Sequence, residues 1–148
     1  MAWGSFACNG GYVDYGFSYA AVYPIMQESN YRYRERDGED CKFDVSKGLV
    51  QVDDNWTIPR NDIDQLKAAL MLGPVGVAVD SSSTIFRNYR KGVIKSQNCG
   101  LNLGHAVLAV GYGTDEEGDD YVMIKNSWGR SWGDNGVGKI QLAKKYSR

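Results

Sequence analysis

The spacing of apolar residues divides the first half of the chain into a short helix and extended or looped segments. Residues 12–29 have a weak helical period. Four of their apolar residues fall near one face: Val13, Phe17, Ala20 and Ala21. Pro24 lies inside this stretch and predicts a kink or an early end of the helix. Residues 30–40 are polar and predict a solvated loop, whereas the short alternation in residues 42–52 predicts an edge strand or an extended segment.

The second half begins with the clearest helical pattern of the chain, residues 61–72. Asn61 can cap this helix, and Asp62 and Asp64 complement the dipole at its amino end. Its apolar stripe consists of Ile63, Leu66, Ala69 and Leu70. Gly73-Pro74 predicts its end.

Strand patterns dominate the remainder of the chain. We expect strands at residues 75–79, 106–110, 121–125 and 137–142. A serine-rich turn at residues 81–83 follows the first of these strands, and an acidic turn at 114–120 lies between the second and the third. A helical first half followed by a strand-rich second half predicts an α+β fold.

Composition narrows the classes of protein. The chain has 148 residues, of which 43% are hydrophobic and 24% charged, so we expect a folded globular protein. Its net charge of −1 gives no reason to expect nucleic acid or a membrane surface as partner. No apolar run approaches the roughly 18 residues that a membrane span needs.

The three cysteines and the single histidine limit metal and disulfide chemistry. Cys8, Cys41 and Cys99 are odd in number, so at least one has no disulfide partner within the chain. With one histidine and three scattered cysteines, no metal-binding spacing exists. We therefore expect neither a metal site nor a cofactor.

The candidate chemistry centres on His105, which follows a glycine and begins an apolar run. A neutral imidazole can accept a proton from a thiol or hydroxyl when a partner on its other nitrogen fixes the tautomer. Asn126 can be that partner, because it follows a strand able to pair with the His105 strand, and Trp128 can cover the contact from water. The plainer alternatives are a structural histidine and a turn containing a core tryptophan.

Five segments together resemble the papain family of cysteine peptidases, which includes the lysosomal cathepsins. The two most specific are His-Ala-Val-Leu-Ala-Val-Gly-Tyr-Gly at 105–113 and Lys-Asn-Ser-Trp-Gly-Arg-Ser-Trp-Gly at 125–133. Cys8-Asn9-Gly10-Gly11 is similar to the family's substrate-cleft glycine motif. Asp37-Gly38 with Cys41, and residues 73–79, resemble two further family segments.

The resemblance implies a truncated two-domain papain-like fold. Residues 1–55 correspond to a remnant of the helical left domain and residues 56–148 to the β-rich right domain. His105 is implied as the general base, Asn126 as the residue that orients it, and Trp128 as their shield. The implied substrate-binding residues are Gly10, Gly11, Val13, Ala78 and Leu103. Cys8, Cys41 and Cys99 correspond to disulfide-forming cysteines whose partners lie outside this chain.

The same resemblance leaves the nucleophile unaccounted for. In this family the catalytic cysteine lies in a Cys-Gly-Ser-Cys-Trp-like segment roughly 130–150 residues before the histidine. His105 is closer to Met1 than that, and Cys8 matches a structural cysteine instead. We therefore expect that the nucleophile precedes this chain and that the isolated chain is inactive.

Two functions remain open at this point. The first is a thiol peptidase that cleaves peptide or protein substrates, with the missing amino-terminal part of the same enzyme as a partner. The second is a catalytically dead pseudopeptidase that serves as a peptide-binding or interaction module. The family implies a lysosomal, vacuolar or secreted location.

Overall fold

The computed structural model describes residues 4–142, apart from the side chain of Ser96. The chain forms two compact units, Met1–Thr57 and Ile58–Arg148. Their boundary lies two residues after the domain boundary expected at 55/56. Helices and antiparallel sheets are both present, which confirms the α+β class.

Over its described residues, 4–57, the first unit contains one α-helix and a two-stranded sheet. Helix α1 spans Val13–Val22, and β1 (Ile25–Met26) pairs antiparallel with β2 (Gly48–Val50). The helix ends before Pro24, as expected from a residue that cannot continue the helical hydrogen bonding. The extended segment predicted at 42–52 forms a strand over only three residues, preceded by a 3-10 turn at Val45–Lys47.

Helix α1 buries little of its apolar surface. Among the described residues of the first unit, only Ala20 is buried. Val13 and Phe17, expected on the same face, are 41% and 40% exposed. The side chains of this helix therefore find few partners within the unit.

Within residues 58–142, the second unit is a four-stranded antiparallel sheet with two α-helices. Helix α2 (Ile63–Leu72) leads into β3 (Val75–Val79), and a short helix α3 (Thr84–Arg87) follows. The remaining strands are β4 (His105–Thr114), β5 (Asp120–Lys125) and β6 (Val137–Gln141), in the order β3-β4-β5-β6. All four predicted strands are confirmed, although β4 continues through Gly111-Tyr112-Gly113. Helix α3 was not predicted.

The core of this unit lies on one face of the sheet. Its buried members are Val79, Phe86, Tyr89, Ile94, Val107, Ala109, Val122, Ile124 and Trp132. Leu66 and Leu70 of α2 pack against it, as their helical stripe predicts. None of the helices within residues 4–142 is long and apolar enough to cross a membrane.

The amino end of α2 differs from its prediction by one residue. Asp62, not Asn61, is the N-cap, and its Oδ1 accepts the backbone N–H of Gln65 at 2.9 Å. Asn61 instead has a φ of 60°, in the left-handed region that asparagine tolerates better than most residues. The expectation that Asn61 caps the helix is therefore wrong.

This correction predicts unequal losses of stability for substitutions at the neighbouring residues Asp62 and Asn61. Asp62→Ala removes the cap and should lower the free energy of unfolding by about 1 kcal/mol. Asn61→Gly keeps the cap and suits the left-handed backbone, so we expect a change of at most a few tenths of a kcal/mol. Urea unfolding of both variants measures the difference, and a larger loss in Asn61→Gly would contradict this assignment.

Candidate active site

Strand alternation places His105 and Asn126 on the same side of the sheet. In β4, His105 has the parity of the buried residues Val107 and Ala109. In β5 and just after it, Asn126 continues the buried series of Val122 and Ile124. Because Leu108 pairs with Lys125, Asn126 and His105 become diagonal neighbours across the two strands.

The two side chains form a hydrogen bond whose direction the surroundings determine. His105 Nε2 lies 2.8 Å from Asn126 Oδ1, and the same Oδ1 accepts the backbone N–H of Ser127 at 2.8 Å. An N–H donor from Ser127 requires oxygen, not the NH₂ group, at that position. His105 Nε2 must then donate, so Nδ1 carries the lone pair that can accept a proton.

Aromatic rings surround the imidazole. Trp128 stacks on it, with ring centroids 5.0 Å apart and planes inclined by 29°. Phe86 meets the imidazole at 6.3 Å and Trp128 at 5.6 Å, both in edge-to-face geometry. Asn126 is 7% exposed and Trp128 39% exposed, so the amide is buried although the indole reaches the surface.

Two residues that sequence reasoning missed support this stack. Phe86 is 3% exposed, and its backbone oxygen accepts the Nε1–H of Trp132 at 2.8 Å. The ring centroids of Trp132 and Phe86 lie 5.0 Å apart. The ends of the loop between β5 and β6 are joined by a hydrogen bond from Asn126 N–H to Gly136 O, at 2.9 Å. The sequence signal that could have identified Trp132 is the second Trp-Gly pair. Its glycine, Gly133, has a φ of 61°, at which a side chain would be strained.

Because His105 is the only histidine, its tautomer can be tested by nuclear magnetic resonance without ambiguity. Asn126→Ala removes the acceptor, so we expect the Nε2–H form to lose its dominance and the two forms to mix. Long-range ¹H–¹⁵N spectra of the full chain measure this. Asn98→Ala, at an exposed asparagine, should leave the imidazole signals unchanged. An unchanged tautomer in Asn126→Ala would contradict the hydrogen-bond direction.

The residues expected to bind substrate belong to both units. Gly10 and Gly11 are exposed in the first unit, where Val13 begins α1. In the second unit, Ala78 is exposed on β3 and Leu103 is 63% exposed before β4. Their role in binding substrate stays a prediction.

The three cysteines are free and exposed. A hydrogen bond and the charge of Asp37 raise the pKa of the Cys8 thiol, which disfavours the reactive thiolate. Partial desolvation and the charge of Asp80 likewise raise the pKa of the Cys99 thiol. Neither environment resembles that of an activated nucleophile.

One acidic cluster has ligand atoms close enough for a cation. Asp115, Glu117 and Asp119 in the turn between β4 and β5 have carboxylate oxygens within 4.8 Å of one another. Lys95 Nζ contacts Asp119 and lies 2.9 Å from Glu117 Oε2, and these two carboxylates raise the pKa of the Lys95 ammonium. The cluster therefore already has a cationic partner.

The chain belongs to the papain family of cysteine proteases, since the sequence profile described as "Papain family cysteine protease" matches residues 2–147. A cathepsin L-like peptidase of Aedes aegypti is 44% identical over 93% of this chain and 41% of that protein. Cathepsin L1 of Drosophila melanogaster is 41% identical over 93% of this chain and 38% of its own length. The chain thus spans about two fifths of these relatives.

Solved structures give the same fold. Digestive procathepsin L 3 of Tenebrio molitor superposes with a TM-score of 0.85 at 38% identity, over 95% of this chain and 45% of that chain. The Carica candamarcensis protease CMS1MS2, solved in complex with E-64, gives 0.84 at 32% identity, over 98% of this chain and 65% of that chain. These comparisons confirm the papain-like architecture.

Proposed function

We propose that this chain supplies the general base and its orienting residue to a cysteine peptidase that hydrolyses peptide bonds through a thioester. The hydrogen bond from His105 Nε2 to Asn126 Oδ1, at 2.8 Å, is the observation that carries the proposal. It leaves Nδ1 as the proton acceptor.

The proposed reaction has two stages. His105 Nδ1 accepts the proton of a cysteine thiol, and the thiolate attacks the peptide carbonyl carbon. His105 then gives that proton to the leaving amine, and a thioester remains on the cysteine. Water hydrolyses the thioester, again with His105 as base. Asn126 holds the ring throughout, and Trp128 covers the hydrogen bond.

We infer that none of the three cysteines of this sequence is the nucleophile. Each of them lies outside a Cys-Trp or Cys-Tyr pair. We therefore propose that the 148-residue chain alone is inactive and works with an amino-terminal segment of the same enzyme. Gly10, Gly11, Val13, Ala78 and Leu103 are the proposed substrate contacts, and a lysosomal, vacuolar or secreted site is the proposed location.

Complementation tests this function. The chain is co-expressed with the amino-terminal segment of a papain-family relative that carries the catalytic cysteine. We expect hydrolysis of a fluorogenic dipeptide that a thiol-directed epoxide inhibitor blocks, and no hydrolysis by the chain alone.

The raised pKa of the Cys8 and Cys99 thiols, and the lack of a Cys-Trp or Cys-Tyr pair in the sequence, support one other function, a pseudopeptidase that binds peptides without cleaving them. A properly assembled but inactive complex that still binds peptide would favour this alternative.

A further inference from the structure

The segment that leads into His105 is tied to β3 by one carboxylate. Asp80 directly follows Val79, the residue that pairs with His105 at the end of the β3–β4 ladder. Beyond this pair, Asp80 Oδ2 accepts the backbone N–H of Asn102 at 2.9 Å. The side chain thus links the two segments just past the point where the ladder ends.

The carboxylate is itself fixed in place. Its Oδ1 accepts both the backbone N–H of Ser82, at 2.8 Å, and the Ser82 hydroxyl, at 2.6 Å. The hydroxyl of Ser82 and the backbone N–H groups of Ser82 and Asn102 lower the pKa of Asp80. Its carboxylate therefore stays charged at lower pH than an ordinary aspartate does. Both oxygens are therefore engaged, one locally and one across the segments.

Little else holds the segment 100–104. Within the described part of the chain, the other hydrogen bonds of this segment are internal, from Leu103 N–H to Leu101 O and from Gly104 N–H to Asn102 O. Leu101 and Leu103 are 95% and 63% exposed, so apolar packing contributes little. The contact with Asp80 is therefore the main restraint on residues 100–104, which precede β4.

Gly100 is fitted to the same carboxylate. A Cβ at this position would overlap Asp80 Oδ2. The φ of Gly100 lies outside the left-handed region, so the backbone conformation permits a side chain there. The Asp80 carboxylate would have to move to make room for it. We name the set of Asp80, Ser82, Gly100 and Asn102 the Asp80 clamp.

We propose that Asp80 is a positioning residue: its clamp fixes where β4 begins and thereby the placement of the His105 imidazole against Asn126 and Trp128. This inference rests on the proposed role of His105. Asp80 reaches His105 only through the backbone. It bonds to the N–H of Asn102, three residues before His105, and it follows Val79, which pairs with His105 across the ladder.

The imidazole of His105 is the reporter for the test, in the full 148-residue chain. Asp80→Ala should shift both ring ¹⁵N signals and reduce the population ratio of the Nε2–H to the Nδ1–H tautomer several-fold. Asp44→Ala is the matched control, because Asp44 Oδ1 accepts the same two groups of Ser46, at 3.0 and 2.7 Å, and its turn lies in the first unit. We expect that control to leave the imidazole unchanged.

A double-mutant cycle separates the clamp from a general loss of stability. Gly100→Ala alone should displace the carboxylate and reproduce the shift of Asp80→Ala. In the Asp80→Ala background it should add little, since no carboxylate remains to be displaced. If Asp80→Ala fails to fold, Gly100→Ala and the milder Ser82→Ala carry the test.

Unchanged imidazole signals in folded Asp80→Ala, with shifts confined to the amides of Asn102 and Leu103, would overturn the proposal. Additive effects in the cycle would overturn it as well. The readout requires no nucleophile and no turnover. A failure of the peptidase function would therefore appear as inactivity of the complemented enzyme, whereas a failure of the clamp appears in these spectra.

Discussion

Replacement of His105 by alanine should lower the kcat/KM of the complemented enzyme by on the order of 10⁴-fold. The chain has no second histidine, so no other imidazole of this chain can take its place. Without His105, a cysteine thiol near neutral pH is mostly protonated and the leaving amine has no proton donor. The measurement is hydrolysis of the fluorogenic dipeptide by the complex, with assembly verified by size-exclusion chromatography.

Two controls sharpen the interpretation of this loss. Thr114 lies at the opposite end of β4 from His105, and its hydroxyl donates to Asp120. Thr114→Ala should therefore leave kcat/KM unchanged. Added imidazole should restore part of the activity of His105→Ala by entering the space left by the ring. Full activity in His105→Ala would show that this residue is not the general base.

Trp132→Ala should produce the largest loss of stability in the second unit, about 3–5 kcal/mol. The ring is 4% exposed and packs on Phe86 at 5.0 Å and on Tyr89 at 5.4 Å. Its removal leaves a cavity behind the imidazole stack and takes the hydrogen-bond donor from Phe86 O. Urea unfolding followed by circular dichroism measures the change.

Trp132→Phe divides this effect into its two parts. Phenylalanine keeps most of the aromatic packing but cannot donate to Phe86 O, so we expect a loss of about 1–3 kcal/mol. Trp56→Ala is the control, because Trp56 is 75% exposed and its removal should change stability by less than about 0.5 kcal/mol. Equal effects of Trp132→Ala and Trp56→Ala would contradict the placement of Trp132 in the core.

The fold was predictable wherever a periodic pattern extended over several residues. Helix α2 and the four strands each repeat their spacing and end at recognisable breakers such as Gly73-Pro74. Helix α3 was missed because four residues give too short a window for periodicity, and Phe86 is the one residue that it buries. The N-cap of α2 was misplaced because Asn61 and Asp62 are both good capping residues, and only the structure distinguishes them, by the φ of Asn61 and the hydrogen bond of Asp62 to Gln65.

The candidate site was predictable to a similar extent. His105 and Asn126 follow from strand pairing, since each is one residue from the end of a strand pattern in the sequence. The supports behind them do not, because Phe86 and Trp132 are 46 residues apart and Asp80 and Asn102 are 22 residues apart. No local spacing signals such long-range contacts between a side chain and a backbone group.

Strand β4 has His105 at one end and the acidic turn at the other. At about 3.4 Å of rise per residue, its ten residues separate the imidazole from that turn by about 30 Å. Gly118 at the tip of the turn is exposed. This hairpin end is therefore where the chain can accept an inserted peptide, a fluorophore or evolutionary variation in length without disturbing the proton-transfer geometry.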